Sequence, residues 1–337
     1  MRKAPARDNH CGKALEEHRA PAVRGRKVLS TRNTKLGAAG PGLLALVLTA
    51  SFLFLPVFGA FFVFLLPAPL AYARVRYGPA AFLVPSVLCA ALAGVAGGFP
   101  LLSIVFVGLS VTGLAHGVSV LKSQPPDKAV LTGTLAPVLV AAPLAGLYFL
   151  AAGVDPWALL SQTLERGIRE SAGLYRQMGM PEQDINALMP TLRIIARVVQ
   201  DYFPAMAVAL TSLVSFTSYV LLRRHIAREE GGEAEPLSRW HAPDHAVWGV
   251  IVPGFLVLIP NPVVRQMAGN LAAVFAIVFF FQGLALTTYF FERMRLSPVL
   301  KGLGYLIVAL QPFLIGVMLL LGFFDTWTDL RKVRPKK

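Results

Sequence analysis

Two histidines four positions apart, His241 and His245, form the pattern in this chain that most resembles a metal site. On a regular helix this spacing places both imidazoles on one face, where they can share a metal ion. Pro243 lies between them and disfavours a regular helix, because proline removes a backbone donor and clashes with the preceding turn. We therefore predict a loop at this position and no metal site.

Enzyme motifs are equally weak. Gly108-Leu-Ser110-Val-Thr-Gly113 resembles the Gly-x-Ser-x-Gly turn that holds a nucleophilic serine, but its spacing differs. Two cysteines, Cys11 in a polar tail and Cys89 in an apolar segment, do not suggest a disulfide framework or a zinc site. We predict no catalytic, cofactor-binding or metal-binding residue, no cofactor, and a protein that is not an enzyme.

Three polar side chains in one apolar segment are better candidates for a binding function: Asn270, Gln282 and Tyr289. Polar groups inside a bilayer are costly and often mark functional positions. Gln282 and Tyr289 are seven positions apart, which places them on the same helix face. Asn270 and Gln282 either form hydrogen bonds between helices or contact a ligand, and both alternatives remain open.

Small residues recur every fourth position at Ala90, Gly94 and Gly98. Such stripes let helix backbones approach closely, which drives packing where the hydrophobic effect is absent. This stripe packs within the protein or contacts a partner subunit.

These residues lie in long apolar segments, and the chain has 55% hydrophobic and 15% charged residues. Such segments are too long for a soluble core. We predict an all-α, polytopic transmembrane helical bundle of eight or nine spans. The segment at 247–260 either crosses the membrane, which gives nine spans, or re-enters it, which gives eight. The spans are at about 40–55, 57–73, 79–98, 100–121, 129–152, 203–222, 247–260, 269–291 and 302–323.

The same pattern divides the chain into five parts. Residues 1–36 form a disordered basic tail and 37–152 a membrane region of five spans. Residues 153–202 form an extracytoplasmic amphipathic helical segment, which begins at the capping pair Asp155-Pro156. Residues 203–324 form a membrane region of three or four spans, and 325–337 a basic C-terminal tail.

The net charge of +14 is explained by membrane orientation rather than by nucleic acid. Basic residues fill the N-terminal tail and follow the second, fourth and sixth spans, so that all four regions lie on one side. That side is expected to be the cytoplasm, which places the protein in the inner membrane with a cytoplasmic N-terminus. We expect the lipid bilayer as a partner, leave a second membrane subunit open, and expect no nucleic acid.

The C-terminal string Gly322-Phe-Phe-Asp325-Thr-Trp327 is the most distinctive in the chain. Trp327 suits the membrane interface. Asp325 can cap the end of the helix, and Asp329 can pair with Arg331 or Lys332. We interpret this string as an anchor where the chain leaves the membrane.

Three strings resemble the YybS-like family of bacterial integral membrane proteins. They are Arg239-Trp240-His-Ala-Pro243-Asp244, Asn270 with Phe281-Gln282-Gly283-Leu284-Ala285, and Gly322 through Arg331. The resemblance covers residues 37–332 and implies a bacterial integral membrane protein.

The N-terminal half is similar in outline to the substrate-binding S components of energy-coupling-factor vitamin transporters. Leu66-Pro67-Ala-Pro69-Leu70 and Arg76-Tyr77-Gly78-Pro79 carry this similarity. S components dock a transmembrane partner through an Ala-x-x-x-Ala stripe, and this chain departs from it with Ala45-x-x-x-Thr49.

Two functions follow as hypotheses. In the first, the protein binds a small solute or lipid as a component of a transporter. In the second, it is a structural or assembly scaffold without a small-molecule substrate.

Overall fold

The structure is a computed structural model that describes residues 35–97, 100–232, 236–328 and 330–331. The described helices from Ala38 onward form one compact unit. Within the described residues the secondary structure is helical, with two short 3₁₀ segments at Leu237–Arg239 and Asp244–Val247. The α-helices are α1 (Lys35–Phe54), α2 (Pro56–Val63), α3 (Pro67–Tyr77), α4 (Pro79–Ala96), α5 (Pro100–Leu121), α6 (Pro126–Ala152), α7 (Pro156–Gln177), α8 (Glu182–Asp201), α9 (Phe203–Glu229), α10 (Trp248–Leu256), α11 (Pro262–Arg293), α12 (Pro298–Leu310) and α13 (Pro312–Thr328).

Proline sets the start of most of these helices. Nine of the thirteen helices in the described part begin at a proline, among them α4, α5, α11 and α13. Proline suits the first helical position, because its fixed φ matches the helix and its missing N–H would have no intrahelical partner there. These nine prolines therefore separate consecutive helices, whereas others, such as Pro137 and Pro143 of α6, lie inside a helix.

The predicted all-α polytopic bundle is confirmed. Six described helices (α1, α4, α5, α6, α9 and α11) are long and apolar enough to cross a membrane, and α12 with α13 makes a seventh if the bent pair is one span. The expected spans at 57–73 and 247–260 fold as shorter elements. The first is divided between α2 and α3, and the second contains α10, which has only nine residues.

Helix directions explain what the first of these short elements does. Gly42 lies against Pro85, and Leu53 lies against Gly97, so α1 and α4 run side by side in the same direction. Two parallel neighbours in one chain require the connection to travel back along their length. The chain therefore returns through α2 and α3.

The same relation holds in the C-terminal half. Gly269 lies against Tyr202, and Phe281 stacks on Phe216 with ring centroids 4.6 Å apart. The offset between partners is nearly constant, so α9 and α11 also run in the same direction. The segment at 236–256, which ends in α10, provides the return. This pattern of alternating directions favours nine passes over eight.

The helices α11 and α13 touch through their backbones. A Cβ atom added at Gly283 would overlap the carbonyl oxygen of Met318, and one added at Gly322 would overlap that of Phe279. Only glycine permits this approach, because any side chain would separate the two helices. The crossing point fixes the position of the C-terminal end of α13 relative to the middle of α11.

The segment between α6 and α9 folds into the hairpin of α7 and α8. The Asp155 side chain accepts a 2.8 Å hydrogen bond from the Trp157 N–H at the start of α7. Gly179, with φ of +82°, makes the turn. Arg176 donates a 2.6 Å hydrogen bond to Glu182 across this turn, and that bond lowers the pKa of the Glu182 carboxyl group.

We predict that Gly283→Ala and Gly322→Ala each destabilise the protein by about 1–3 kcal/mol, because the new methyl group meets a backbone oxygen that cannot move aside. The measurement is the thermal unfolding midpoint in detergent. Gly316→Ala in α13 is the matched control, since no atom lies within 4 Å of the added Cβ. Equal midpoints for all three variants would contradict the close crossing.

A second prediction concerns the direction of α11. We expect cysteines replacing Gln177 and Pro260 to react with an impermeant maleimide from one side of the membrane. Cysteines replacing Glu230 and Met294 should react from the other side, because α9 and α11 are parallel. The background carries Cys11→Ser. If Pro260→Cys and Glu230→Cys react from the same side, the nine-pass arrangement is wrong.

Candidate functional site

Gln282 lies at the centre of a buried polar network. Its side chain is 1% exposed, and its Oε1 atom accepts a hydrogen bond of 3.1 Å from the Ala242 N–H. Its Nε2 atom donates a hydrogen bond of 3.1 Å to Asp325 Oδ2. The amide thus joins α11 to the loop before α10 and to α13, with both of its polar atoms satisfied as burial requires.

A buried ion pair completes the network. Arg331 Nη2 lies 2.8 Å from Asp325 Oδ2, and the two side chains are 2% and 3% exposed. Arg331 Nη1 donates to the carbonyl oxygens of Ser238 and Trp240 at 2.9 and 2.7 Å. The other carboxylate oxygen, Asp325 Oδ1, accepts from the Leu330 N–H at 3.0 Å. These bonds offset the desolvation cost that an isolated buried pair would carry.

This arrangement differs from the expected membrane-exit anchor. Asp325 does not simply cap its own helix end, because it contacts Gln282 and Arg331. The partner of Arg331 is Asp325, whereas the expected partner Asp329 lies outside the described residues. Sequence distance hid the network, since Arg331 and Ser238 are 93 positions apart. Residues of the three strings meet here, except Asn270, which contacts Ala205 and Asp201 instead.

A surface groove of about 360 Å³ adjoins the network, and we call it the C-terminal groove. Thr326, next to the buried Asp325, forms part of one wall. The opposite wall comes from the second 3₁₀ segment, which follows the anchored Ala242, and from α10. The lining residues are Asp244, Val247, Trp248, Ile251, Thr326 and Trp327.

The chemistry of the C-terminal groove is amphipathic. Two indole rings and two aliphatic side chains supply apolar contact area, while Asp244 and Thr326 supply a carboxylate and a hydroxyl group. Apolar walls with a few placed polar groups are typical of small-molecule sites. His241 and His245 lie nearby on exposed loop and 3₁₀ backbone rather than on a regular helix. In the described residues, no three His, Cys, Asp or Glu side chains are grouped to hold a metal ion.

The three candidate polar residues of α11 do not form one site. Asn270 Oδ1 accepts from the Ala205 N–H at 3.1 Å, and Asn270 Nδ2 donates to the Asp201 carbonyl oxygen at 2.8 Å. It therefore pins the junction of α8 and α9 to α11, about 18 Å along the helix from Gln282. Tyr289 is half-buried with its ring edge-on to Phe290. These contacts favour the interhelical alternative for Asn270 and Gln282.

The small-residue stripe contacts α5. Ser103 Oγ donates a 2.9 Å hydrogen bond to the Ala90 carbonyl oxygen, and it occupies the place of a Cβ atom at Gly94. Gly98 lies outside the described residues. The contacts of Ala90 and Gly94 favour packing within the protein.

The stripe that stands in place of the S-component docking motif lies inside the molecule. Ala45 and Thr49 are both 0% exposed, and Thr49 donates a 2.9 Å hydrogen bond to the Ala45 carbonyl oxygen. A subunit that docked on the described surface would have to use other residues.

A second polar cluster holds α5, α6 and α9 together. His116 is 0% exposed and its Nε2 atom lies 2.9 Å from the Ser215 carbonyl oxygen. The Ser215 hydroxyl group donates to the Val130 carbonyl oxygen at 3.0 Å. Gly133 leaves the space that the imidazole ring fills. This cluster stabilises the packing of these three helices. It lies in a different part of the bundle from the C-terminal groove.

We predict that Asp325→Leu or Arg331→Met alone destabilises the protein by about 3–5 kcal/mol, because each leaves a buried charge without its counter-ion. The double variant should lose less stability than the two single variants lose together. A double-mutant cycle of unfolding free energies measures this difference. Glu182→Leu and Arg176→Met are the matched control, because that pair has the same spacing but both side chains are more than half exposed. A single Asp325→Leu variant as stable as the native protein would contradict the buried pair.

One of three comparisons with known proteins found a match, and it agrees with a membrane protein. No curated protein and no solved structure matches the chain. One family model, described as predicted membrane protein (DUF2232), matches residues 43–326. This match covers most of the chain, from the third turn of α1 to Thr326 at the C-terminal groove. The chain therefore belongs to the DUF2232 family of membrane proteins.

Proposed function

We propose that this multi-pass membrane protein binds a small amphipathic solute or lipid in the C-terminal groove. The observation that carries the proposal is the groove itself, whose volume of about 360 Å³ falls in the range of small-molecule sites. Its two tryptophans suit an apolar portion of a ligand, and Asp244 with Thr326 suits a polar end. The proposed role is binding rather than catalysis.

The walls of the groove are supported from behind. Ala242, two positions before Asp244, is anchored to Gln282, and Asp325, next to Thr326, is anchored to Gln282 and Arg331. A site whose walls are held by buried contacts loses little conformational entropy when a ligand enters. Gln282 thus supports binding through the backbone it holds rather than by touching the ligand.

We further propose that the protein acts as a component of a transporter in the bacterial inner membrane, with its N-terminus in the cytoplasm. The placement of basic residues supports the orientation. The resemblance of the N-terminal half to S components supports the transport role. Since Ala45 and Thr49 face the interior, a second subunit would bind elsewhere.

A scaffold role is the alternative, and the hairpin of α7 and α8 favours it. This hairpin lies outside the long apolar helices and exposes large apolar side chains, including Leu174 at 59% and Ile194 at 62%. Apolar surface away from lipid-facing helices is typical of protein contacts. A scaffold would leave the C-terminal groove without a ligand, so the two roles are separated by the groove experiment.

We predict that native mass spectrometry of the detergent-purified protein finds a small molecule, and that lysophosphatidylcholine as a probe raises the thermal midpoint. Trp327→Ala should weaken probe binding by at least about tenfold, because an aromatic wall is lost. Gln282→Leu should weaken it as well and should also lower the midpoint of the protein without probe.

Trp157→Ala is the control for this experiment. The two tryptophans have similar surroundings. Trp157 is 46% exposed on the hairpin and contacts the ring of Phe203, and Trp327 is 56% exposed and contacts the ring of Phe323. Probe affinity should be unchanged in this variant. An unchanged affinity in Trp327→Ala, or an equal loss in both variants, would remove the C-terminal groove from the proposed function.

A further inference from the structure

The helix α12 stands apart from the others because it turns away from the bundle axis. It makes an angle of 104° with α13 at a break of one residue. Gln311 at this break is extended, with φ of −110° and ψ of 102°, because the proline that follows it disfavours helical backbone. With 13 residues, α12 is about 20 Å long, which is short of the roughly 30 Å core of a bilayer.

Contacts place α12 across one end of the bundle. The Tyr305 hydroxyl group lies 2.9 Å from that of Thr288, and the Tyr305 ring packs on Phe291, so α12 rests on the last turns of α11. The helix α13 runs back along α11, with Met318 against Gly283 and Gly322 nearer the start of α11. Since α13 follows the bundle axis, the 104° bend leaves α12 nearly perpendicular to that axis.

One face of α12 is apolar and exposed. Val299 is 80% exposed, Leu310 is 67% exposed, and four other large side chains are about half exposed. On the opposite face of α12, Val308 is buried and the Phe291 ring packs against Gly304. The exposed apolar side chains are Val299, Leu300, Leu303, Leu306, Ile307 and Leu310.

Basic residues lie at the start of this helix. Arg293, Arg295 and Lys301 flank the turn into α12, and Glu292 is the acidic residue beside them, which leaves a net charge of +2 over 292–301. Arg293 and Arg295 are exposed. Because α9 and α11 are parallel, the arginines at 223, 224 and 228 lie at the same end of the bundle.

We propose that α12 is an in-plane interfacial helix that binds anionic phospholipid. Its apolar face enters the boundary of the acyl chains, and Arg293, Arg295 and Lys301 contact the phosphate headgroups. A short helix with an exposed apolar face and adjacent basic residues is the arrangement that binds an anionic bilayer surface. This surface is separate from the C-terminal groove and does not depend on the function proposed for it.

The test compares lipids on the full-length protein. Delipidated protein is titrated in detergent with phosphatidylglycerol or with phosphatidylcholine, and binding is followed by the thermal midpoint and by native mass spectrometry. The variant carries Arg293→Gln, Arg295→Gln and Lys301→Gln. The control carries Arg166→Gln, Arg169→Gln and Arg193→Gln, which removes the same charge from exposed positions of α7 and α8.

The native protein should prefer phosphatidylglycerol, and the control should keep that preference. In the variant, the preference for phosphatidylglycerol over phosphatidylcholine should fall by roughly fivefold for each cation removed, or on the order of a hundredfold for three. An unchanged preference in the variant, or an equal loss in the control, would overturn the proposal. Glycerol phosphate in place of the lipid should produce no stabilisation, and an equal effect from it would overturn the bilayer as the partner.

A second measurement remains informative if the triple variant fails to fold. Leu303→Cys in a Cys11→Ser background is labelled with a fluorophore and reconstituted in nanodiscs. Brominated lipids should quench this label, whereas a label at Gln177→Cys on the hairpin turn should be quenched by aqueous iodide. Quenching of the Leu303 label by iodide and not by brominated lipid would overturn the insertion of the apolar face of α12 into the bilayer.

Discussion

The C-terminal half of the protein depends on the contact between α11 and α13 at two glycines. Because Gly283 and Gly322 bring the backbones together, the residue three positions after Gly322 reaches the residue just before Gly283. That pair is Asp325 and Gln282, and their hydrogen bond begins the network that reaches Arg331. If the helices lay further apart, the Gln282 amide and the Asp325 carboxylate could not form their hydrogen bond. The polar contacts of the network therefore depend on the two glycines.

The buried charges turn this crossing into a connection between distant parts of the chain. Arg331 binds Asp325 and two carbonyl oxygens of the loop before α10, so the end of the described chain closes over that loop. A buried ion pair contributes little net stability compared with apolar packing, but it tolerates only one arrangement of its partners. The ion pair therefore adds to the register that the glycine crossing sets between α11 and α13. The C-terminal groove takes its shape from that register.

The fold class is encoded in local features of the sequence, whereas the buried network depends on contacts between distant positions. Apolar length and proline punctuation are local, so the helices and their bundle were predictable from composition alone. The directions of α1 with α4 and of α9 with α11 depend on tertiary contacts, so the short returns could not be distinguished from re-entrant loops. Asp325 was interpreted as a cap and Gln282 as a separate polar position, since nothing local reveals that positions 43 apart share a hydrogen bond. Glycine at both Gly283 and Gly322 was the available signal, but a glycine pair identifies a partner only when the crossing is known.

The helix α13 connects the two proposed surfaces, α12 and the C-terminal groove. Its length therefore sets the distance between them. The helix α13 begins at Pro312, where α12 ends, and Thr326 at the C-terminal groove is fourteen residues further along. That distance is at most about 21 Å of helix rise, which is less than the roughly 30 Å of a bilayer core. If α12 rests at the membrane surface, the C-terminal groove opens within the thickness of the bilayer. A ligand would then reach Trp248 and Trp327 from the lipid phase, which favours an amphipathic molecule over a hydrophilic solute.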